Sequence, residues 1–211
     1  MKRIAVVLCI LGLAGVLFWL FPLFHVVRLD EARAEEQQSR FNAAKFAEAF
    51  WDERLLPALD EAADAGAVLT AIRDNPQAAR EQFGRKVGVS RTRFFVLRGS
   101  GRIVSVDEKA IGVALDQNGR EPDVVLPIGL LFGNTARDAT GLLDAGDFPH
   151  SQNFNDISTE LNRIIEERVV PKLRKQSKVG RRIEFAGCAE VSDEVSDPRP
   201  LAIIPLKVDV E

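Results

Sequence analysis

The sequence is poor in the side chains that most often perform catalysis or bind metals. Its 211 residues include no tyrosine, only two histidines and only two cysteines. His25 and His150 are far apart in the chain and neither belongs to an HExxH pattern, while no Gly-x-Ser-x-Gly elbow or phosphate-binding loop occurs. The sequence therefore predicts no catalytic residues, no metal site and no cofactor.

The chain also lacks an excess of positive charge. Its net charge is −3, and the charge becomes −5 when Lys2 and Arg3 are set aside with the apolar N-terminal stretch. Because nucleic-acid binding depends on basic surface, no nucleic-acid partner is expected. Hydrophobic residues make up 46% and charged residues 28% of the chain, which is typical of a globular protein and excludes a disordered one.

The N-terminus contains a long run without charge. The 24 residues from Ile4 to Val27 carry no formal charge, and a helix of that length spans about 36 Å, more than the hydrocarbon core of about 30 Å. Lys2 and Arg3 precede the run and acidic residues follow it, so the positive-inside rule places the N-terminus in the cytoplasm. We predict a signal anchor over residues 1–27, a single pass through the inner membrane and a body in the periplasm.

Two other processing routes fit this segment less well. A cleaved signal peptide needs small residues near the end of the apolar run, where the sequence has the bulky residues of 18–21. Lipidation needs a cysteine just after the run, whereas Cys9 lies inside it. We therefore expect the helix itself to attach the protein to the membrane, followed by a polar stalk over residues 28–41.

A helical pattern begins after the stalk. Asn42 is a typical helix N-cap, and the apolar residues after it recur at helical spacing, with Pro57 as the expected kink. Asn75 and Pro76 can cap and open a further helix that stops at Gly84. We predict a small helical subdomain over residues 42–88.

The pattern then changes to short strands. Four runs rich in Val, Ile and Phe are separated by turn residues, a helix follows at about 155–175 with Pro171 kinking or ending it, and two strands close the chain. The four runs are 92–97, 102–106, 111–115 and 124–128, with Gly99-Ser100-Gly101 as the turn between the first two, and the closing strands are 182–191 and 201–209. This order predicts an α+β fold in which residues 89–211 form an OB-like β-barrel domain. A helix packed across an open sheet is the alternative.

Several motifs resemble one family of envelope proteins. Residues 132–148 (FGNTARDATGLLDAGDF), Asn155-Asp156-Ile157-Ser158 with Leu161-Asn162, and Val104-Ser105-Val106-Asp107 resemble the predicted periplasmic lipoproteins of the domain of unknown function 2291. The resemblance implies a helical subdomain joined to an OB-like domain, and a role near sugar ABC importers, whose genes often lie beside those of the family. Many members have a lipidated cysteine that this chain lacks at the expected place.

The loop within this motif holds the candidate site. Polar side chains lie among three glycines between a strand and a helix, and loops of this kind often bind ligands. The candidate ligand-binding residues are Asn134, Arg137, Asp138, Asp144 and Asp147. Arg137 and Asn134 would bond a carboxylate or sugar hydroxyls, and the aspartates would accept hydrogen bonds from hydroxyls or hold a cation.

The same residues also allow a purely structural interpretation. Arg137 would then pair with an aspartate, and the other aspartates would cap turns. The aspartate spacing lacks the pattern of an EF-hand, so no calcium site is predicted. Cys188, in an apolar segment with no histidine near it, is interpreted as a core residue and not as a nucleophile.

These observations favour a non-catalytic, membrane-anchored periplasmic module that binds a protein partner or a small solute. The resemblance suggests components of a sugar ABC importer as partners. An envelope structural or assembly factor is the alternative. An enzyme acting on an envelope saccharide is a weaker one, since it would require two of Asp138, Asp144 and Asp147 to face each other in a concave site.

Overall fold

The computed structural model describes residues 41–88, 90–116, 118–148 and 150–211. Asn42–Glu211 forms one compact unit, which we call the body. The predicted anchor over 1–27 and the stalk through residue 40 lie outside the described residues. Within the described ranges, no helix combines the length and the apolar character needed to cross a membrane.

The body begins with a series of short helices. In chain order the elements are α1 Ala43–Phe50, a π-helical turn Trp51–Leu55, an α-helical turn Leu56–Ala58, a 3₁₀ turn Leu59–Glu61, β1 Ala63–Asp64, α2 Ala65–Asp74, α3 Pro76–Phe83 and β2 Arg85–Lys86. Asn42 accepts a hydrogen bond from the Lys45 amide at 2.9 Å, and Asn75 accepts one from the Ala78 amide at 3.1 Å. Both predicted N-caps are thus confirmed, and the irregularity expected at Pro57 takes the form of a π-helical turn just before it.

The sequence did not predict the two short strands within this helical segment. β1 pairs in parallel with Leu97 and Arg98, and β2 pairs antiparallel with Arg93 and Phe94. Each strand has two residues, too few to show the alternation by which strands are recognised. Through them, the segment 42–88 is hydrogen-bonded to the edge of a strand of the following domain.

A closed five-stranded barrel forms the rest of the sheet. Its strands are β3 Thr92–Val106, β4 Ala110–Ala114, β5 Val124–Pro127, β6 Arg182–Ser192 and β7 Leu201–Val210. β3, β4 and β5 form an antiparallel meander, β5 pairs in parallel with β7, β7 pairs with β6, and β6 returns to β3. This closure confirms the OB-like barrel and excludes the open sheet. Large side chains with almost no exposed surface, such as Phe95, Leu97, Ile111 and Leu126, form its core.

β3 runs unbroken through Gly99-Ser100-Gly101, so the predicted turn at these residues is wrong. A Cβ on Gly99 would lie 2.7 Å from the ring of Phe185, and a Cβ on Gly101 would lie 2.3 Å from the carbonyl oxygen of Ala114. These glycines therefore provide space for neighbouring strands. They let one long strand pair with β6 over its first part and with β4 at its end.

Between β5 and β6 lie a loop and the helices of the barrel domain. These are α4 Thr135–Asp138, a 3₁₀ turn Ala145–Asp147, α5 Ser151–Arg168 and α6 Val170–Gln176. The predicted interruption near Pro171 is confirmed, since α5 ends at Arg168 and Pro171 lies in the first turn of α6. The start of α5 was predicted four residues too late. Contacts with the preceding loop hold Phe154 in the first turn of this helix, and such contacts are not visible in the local sequence pattern.

Candidate functional site

Three of the five predicted site residues come together at α4. The Arg137 guanidinium donates from Nε to Asp138 Oδ1 at 2.6 Å and from Nη2 to Asp138 Oδ2 at 3.0 Å. Asn134 donates a further hydrogen bond to Asp138 Oδ2. The Arg137 and Asp138 side chains are only 6% and 3% exposed. Within this cluster the carboxylate of Asp138 is fully engaged by neighbours in the loop.

Arg137 also ties the loop to the start of α5. Its Nη1 donates to the carbonyl oxygen of Phe154 at 2.9 Å, and the guanidinium carbon lies 3.6 Å from the centroid of the Phe154 ring. Phe148 packs against the same ring with a centroid distance of 5.5 Å. The cation–π contact and the hydrogen bonds together use one guanidinium to join two segments of chain.

The other two predicted residues lie apart from this cluster on the exposed part of the loop. Asp144 Oδ1 accepts a hydrogen bond from the Gly146 amide at 2.7 Å and thereby caps the 3₁₀ turn, while Asp147 lies within that turn. Among the described residues, no three His, Cys, Asp or Glu side chains are grouped so that they could hold a metal ion. The five residues as a ligand site stay a prediction, and their observed contacts are those that fold the loop.

The same loop borders an open cleft of about 700 Å³, which we call the β3-edge cleft. It opens beside Phe94 and Val96 of β3, between the places where β1 and β2 pair with that strand. Phe83 and Leu142 extend the apolar lining of this cleft. Because side chains alternate along a strand, Phe94 and Val96 face this cleft while Phe95 faces the barrel core. The cleft therefore has an apolar wall on the side of the sheet away from the core.

Two cations stand at the rim of the cleft. Arg85 and Lys86 of β2 line it, with Glu61 as the one carboxylate among the lining residues. Gly141 adopts a φ of +62°, and a Cβ there would lie 2.4 Å from Arg85 Nη1, so the guanidinium packs directly on the glycine backbone. No hydrogen bond or ion pair of the Arg85 or Lys86 side chain is formed with another described residue. Free donors beside an apolar wall suit an anion that has an apolar part.

Sequence reasoning missed Arg85 and Lys86 because they stand between Gly84 and Gly88 in what looked like a turn. It did select the loop over 132–148, of which Ala139, Thr140 and Leu142 line the cleft. The available signal was the pair of adjacent cations with no acidic residue beside them, separated from the apolar Phe83 by Gly84 alone.

A second, smaller groove of about 470 Å³ lies on the outer surface of β3, β6 and β7. Phe185 and Gly99 lie in its wall, and charges of both signs surround it, among them Arg98, Glu184 and Lys207. Its lining holds four carboxylates and only two cations, so the groove is less suited to an anionic ligand than the β3-edge cleft.

Cys188 is buried, as the sequence predicted, and lies on β6 directly opposite Val96 of β3. Its side chain has no exposed surface, and burial raises the pKa of the thiol to about 12. A thiol that remains protonated and inaccessible is a poor nucleophile.

Comparison with known proteins agrees with this architecture. The model of the family described as predicted periplasmic lipoprotein (DUF2291) matches residues 8–209. An OB-fold protein of known structure from Thermotoga maritima is 30% identical and superposes with a TM-score of 0.74, covering 82% of this chain and 100% of its own. No curated protein matches the sequence. The chain thus belongs to the DUF2291 family of predicted periplasmic lipoproteins.

Proposed function

We propose that the protein is a membrane-tethered, non-catalytic binding module of the periplasm, and that its ligand occupies the β3-edge cleft. The observation that supports this best is the placement of Arg85, which pairs with Phe94 on the same face of the sheet, beside the apolar wall of Phe94 and Val96, with Lys86 next to it in the lining. The ligand would carry a carboxylate or phosphate, bound by Arg85, and an apolar portion against the wall.

Titration of the purified body, residues 42–211, tests the cleft. We expect aromatic or aliphatic carboxylates to raise the melting temperature in a saturable manner, because a ligand that binds only the folded state stabilises it. Arg85→Ala should abolish the rise, and Arg73→Ala, at an exposed ion pair with Asp74, should leave it intact. A rise that is equal in both variants would place the ligand elsewhere, including at the five predicted residues of the loop.

The tether would be the uncharged run from Ile4 to Val27, uncleaved and crossing the inner membrane once. A periplasm-active reporter fused after Glu211 should be active and should remain with the membrane fraction. Recovery of the activity in the soluble periplasmic fraction would show that the segment is removed or does not anchor the chain.

The partner we propose is a component of a sugar ABC importer, an association that depends on the family resemblance alone. Crosslinking in intact membranes, followed by purification of the body together with the proteins attached to it, tests this association. Recovery of envelope assembly machinery without importer subunits would favour the alternative role as an assembly factor.

A further inference from the structure

The loop between β5 and α4 presents two large apolar side chains to solvent. Leu130 is 75% exposed and Phe132 is 80% exposed, while Leu131 between them is only 7% exposed. Exposed apolar residues are common singly, but here two of them project on either side of a buried one. Leu131 is thus packed into the body, while its two neighbours point outward.

Side chains of the helices hold this loop in place. Glu166 accepts a hydrogen bond from the Leu131 amide at 2.6 Å, and Asn162 donates one to the Gly133 carbonyl at 3.0 Å. At the base of the loop, Arg174 donates from Nε at 3.1 Å and from Nη2 at 2.6 Å to the carbonyl of Ile128. The outward position of Leu130 and Phe132 is therefore fixed by bonds on both sides.

The apolar area is too small for a stable protein interface. Two side chains supply a few hundred Å² at most, whereas specific protein interfaces bury about 1,200 Å² or more in total. Insertion into a bilayer has no such requirement, since an apolar side chain needs only to reach about 5–10 Å into the headgroup boundary. A weak contact of this size becomes effective when a tether keeps it near the membrane.

The sequence places the body near a bilayer. The uncharged run ends at Val27, so only 14 residues, 28–41, separate it from Asn42, and such a segment reaches about 50 Å at most. Charge around the loop is compatible with phospholipid headgroups. The Arg174 guanidinium lies at the loop base, on the carbonyl of Ile128, and the Glu166 carboxylate is engaged by the Leu131 amide.

We propose that Leu130 and Phe132 insert into the outer leaflet of the membrane to which the protein is tethered, and thereby fix the orientation of the body at its surface. This inference rests on the tether of the proposed function and is independent of any ligand in the cleft. It makes the Leu130–Phe132 loop a second, reversible point of membrane contact.

Tryptophan placed in the loop tests this proposal. The full chain carrying Trp19→Phe and Phe132→Trp is reconstituted in vesicles of phosphatidylcholine and phosphatidylglycerol with brominated acyl chains as quencher. We expect the emission of the new tryptophan to shift to shorter wavelength and to lose most of its intensity. Trp51 is buried and contributes a constant background.

Val195→Trp in the same background is the matched control. Val195 is partly exposed and lies in the loop after β6, next to the start of β3, where the Asp193 amide bonds to Arg91. The loop with Leu130 meets the opposite end of β3 at Lys109. Quenching should therefore be weak at residue 195. Equal quenching at both positions, or none at residue 132, overturns the proposal.

Two further measurements separate this proposal from the others. Flotation of the full chain with vesicles reports on the tether, and the carboxylate titration reports on the cleft.

In vesicles containing the full chain, Phe132→Ser should increase protease access to the body without changing its melting temperature. Photocrosslinking from residue 132 to a protein in place of lipid would overturn the lipid contact and identify a protein-docking loop.

Discussion

The guanidinium of Arg137 donates two hydrogen bonds to the carboxylate of Asp138, its neighbour in the chain, and both side chains are more than nine-tenths buried. A third hydrogen bond from Arg137 reaches the backbone of Phe154 at the start of α5. One charge pair thus connects α4 to α5 and organises the loop that the sequence had marked as a site.

Arg137→Ala should destabilise the body strongly. The substitution leaves the Asp138 carboxylate buried without its cation, and breaking a buried pair from one side costs about 3–5 kcal/mol. It also removes the bond and the cation–π contact to Phe154. Urea unfolding of residues 42–211 measures the loss in free energy of unfolding, provided that the variant and the native sequence have the same m value.

An exposed ion pair provides the control. Arg73 and Asp74 approach to 3.5 Å with side chains 53% and 68% exposed, and pairs of that kind contribute about 0–1 kcal/mol. Arg73→Ala should therefore change the free energy of unfolding little. If Arg137→Ala proved equally mild, the buried pair would not organise the loop, and a role for Arg137 in binding would gain support.

Gly187→Ala should destabilise the barrel. A Cβ at this position would lie 2.1 Å from the carbonyl oxygen of Ile204 on β7, which is backbone and cannot move aside. Overpacking of this type costs about 1–3 kcal/mol. Gly129→Ala is the matched control, since the nearest atom to its Cβ is the Lys109 carbonyl oxygen at 4.0 Å. A Gly187→Ala variant as stable as Gly129→Ala would contradict the packing of β6 against β7.

The barrel strands were predictable because their alternation and their turns are local signals. The turn after β3 is an example, with Asp107 accepting hydrogen bonds from the Lys109 and Ala110 amides. The continuity of β3 was not predictable in the same way. Gly99 and Gly101 look like turn residues, and the atoms that require their lack of a side chain belong to Phe185 and Ala114, whose proximity depends on the folded barrel.

The candidate site shows the same limit. The pairing of Arg137 with an aspartate was one of two interpretations that the sequence allowed, and adjacency in the chain made Asp138 an available partner. The β3-edge cleft could not be predicted from the sequence, because Arg85, Phe94 and Leu142 come from three separate segments. Their assembly depends on β1 and β2, whose two residues each carry no periodicity.

Asn75→Ala should weaken α3. The Asn75 side chain accepts a hydrogen bond from the Ala78 amide, one of the helix donors that have no partner within the helix. Loss of an N-cap of this kind costs about 1 kcal/mol. Asn75→Asp keeps the acceptor and should retain nearly full stability in the same thermal or urea unfolding measurement. Equal losses in both variants would show that the amide group, and not the cap, is what matters.

Cys188 should make the stability of the body fall at high pH. Burial raises the pKa of its thiol from an ordinary value of 9.0 to about 12, so between these values the unfolded chain releases a proton that the folded chain retains. The contribution of the protonated thiol to the free energy of unfolding is fully present below pH 9. It is lost as the pH rises toward 12, at about 1.4 kcal/mol per pH unit. Unfolding measured at increasing pH should show this slope in the native sequence.

Cys188→Ala isolates the contribution of the thiol, because other groups that titrate at high pH, lysines above all, affect both proteins and cancel in the difference between them. The variant loses packing at every pH, yet its disadvantage should shrink as the pH rises through the window. The chain has no tyrosine, so no phenolate titration obscures the thiolate absorbance of the unfolded state. In a chain carrying Cys9→Ser, a thiol reagent should label Cys188 only as fast as the body opens around it. Rapid labelling without denaturant would contradict its burial and reopen the question of a reactive cysteine.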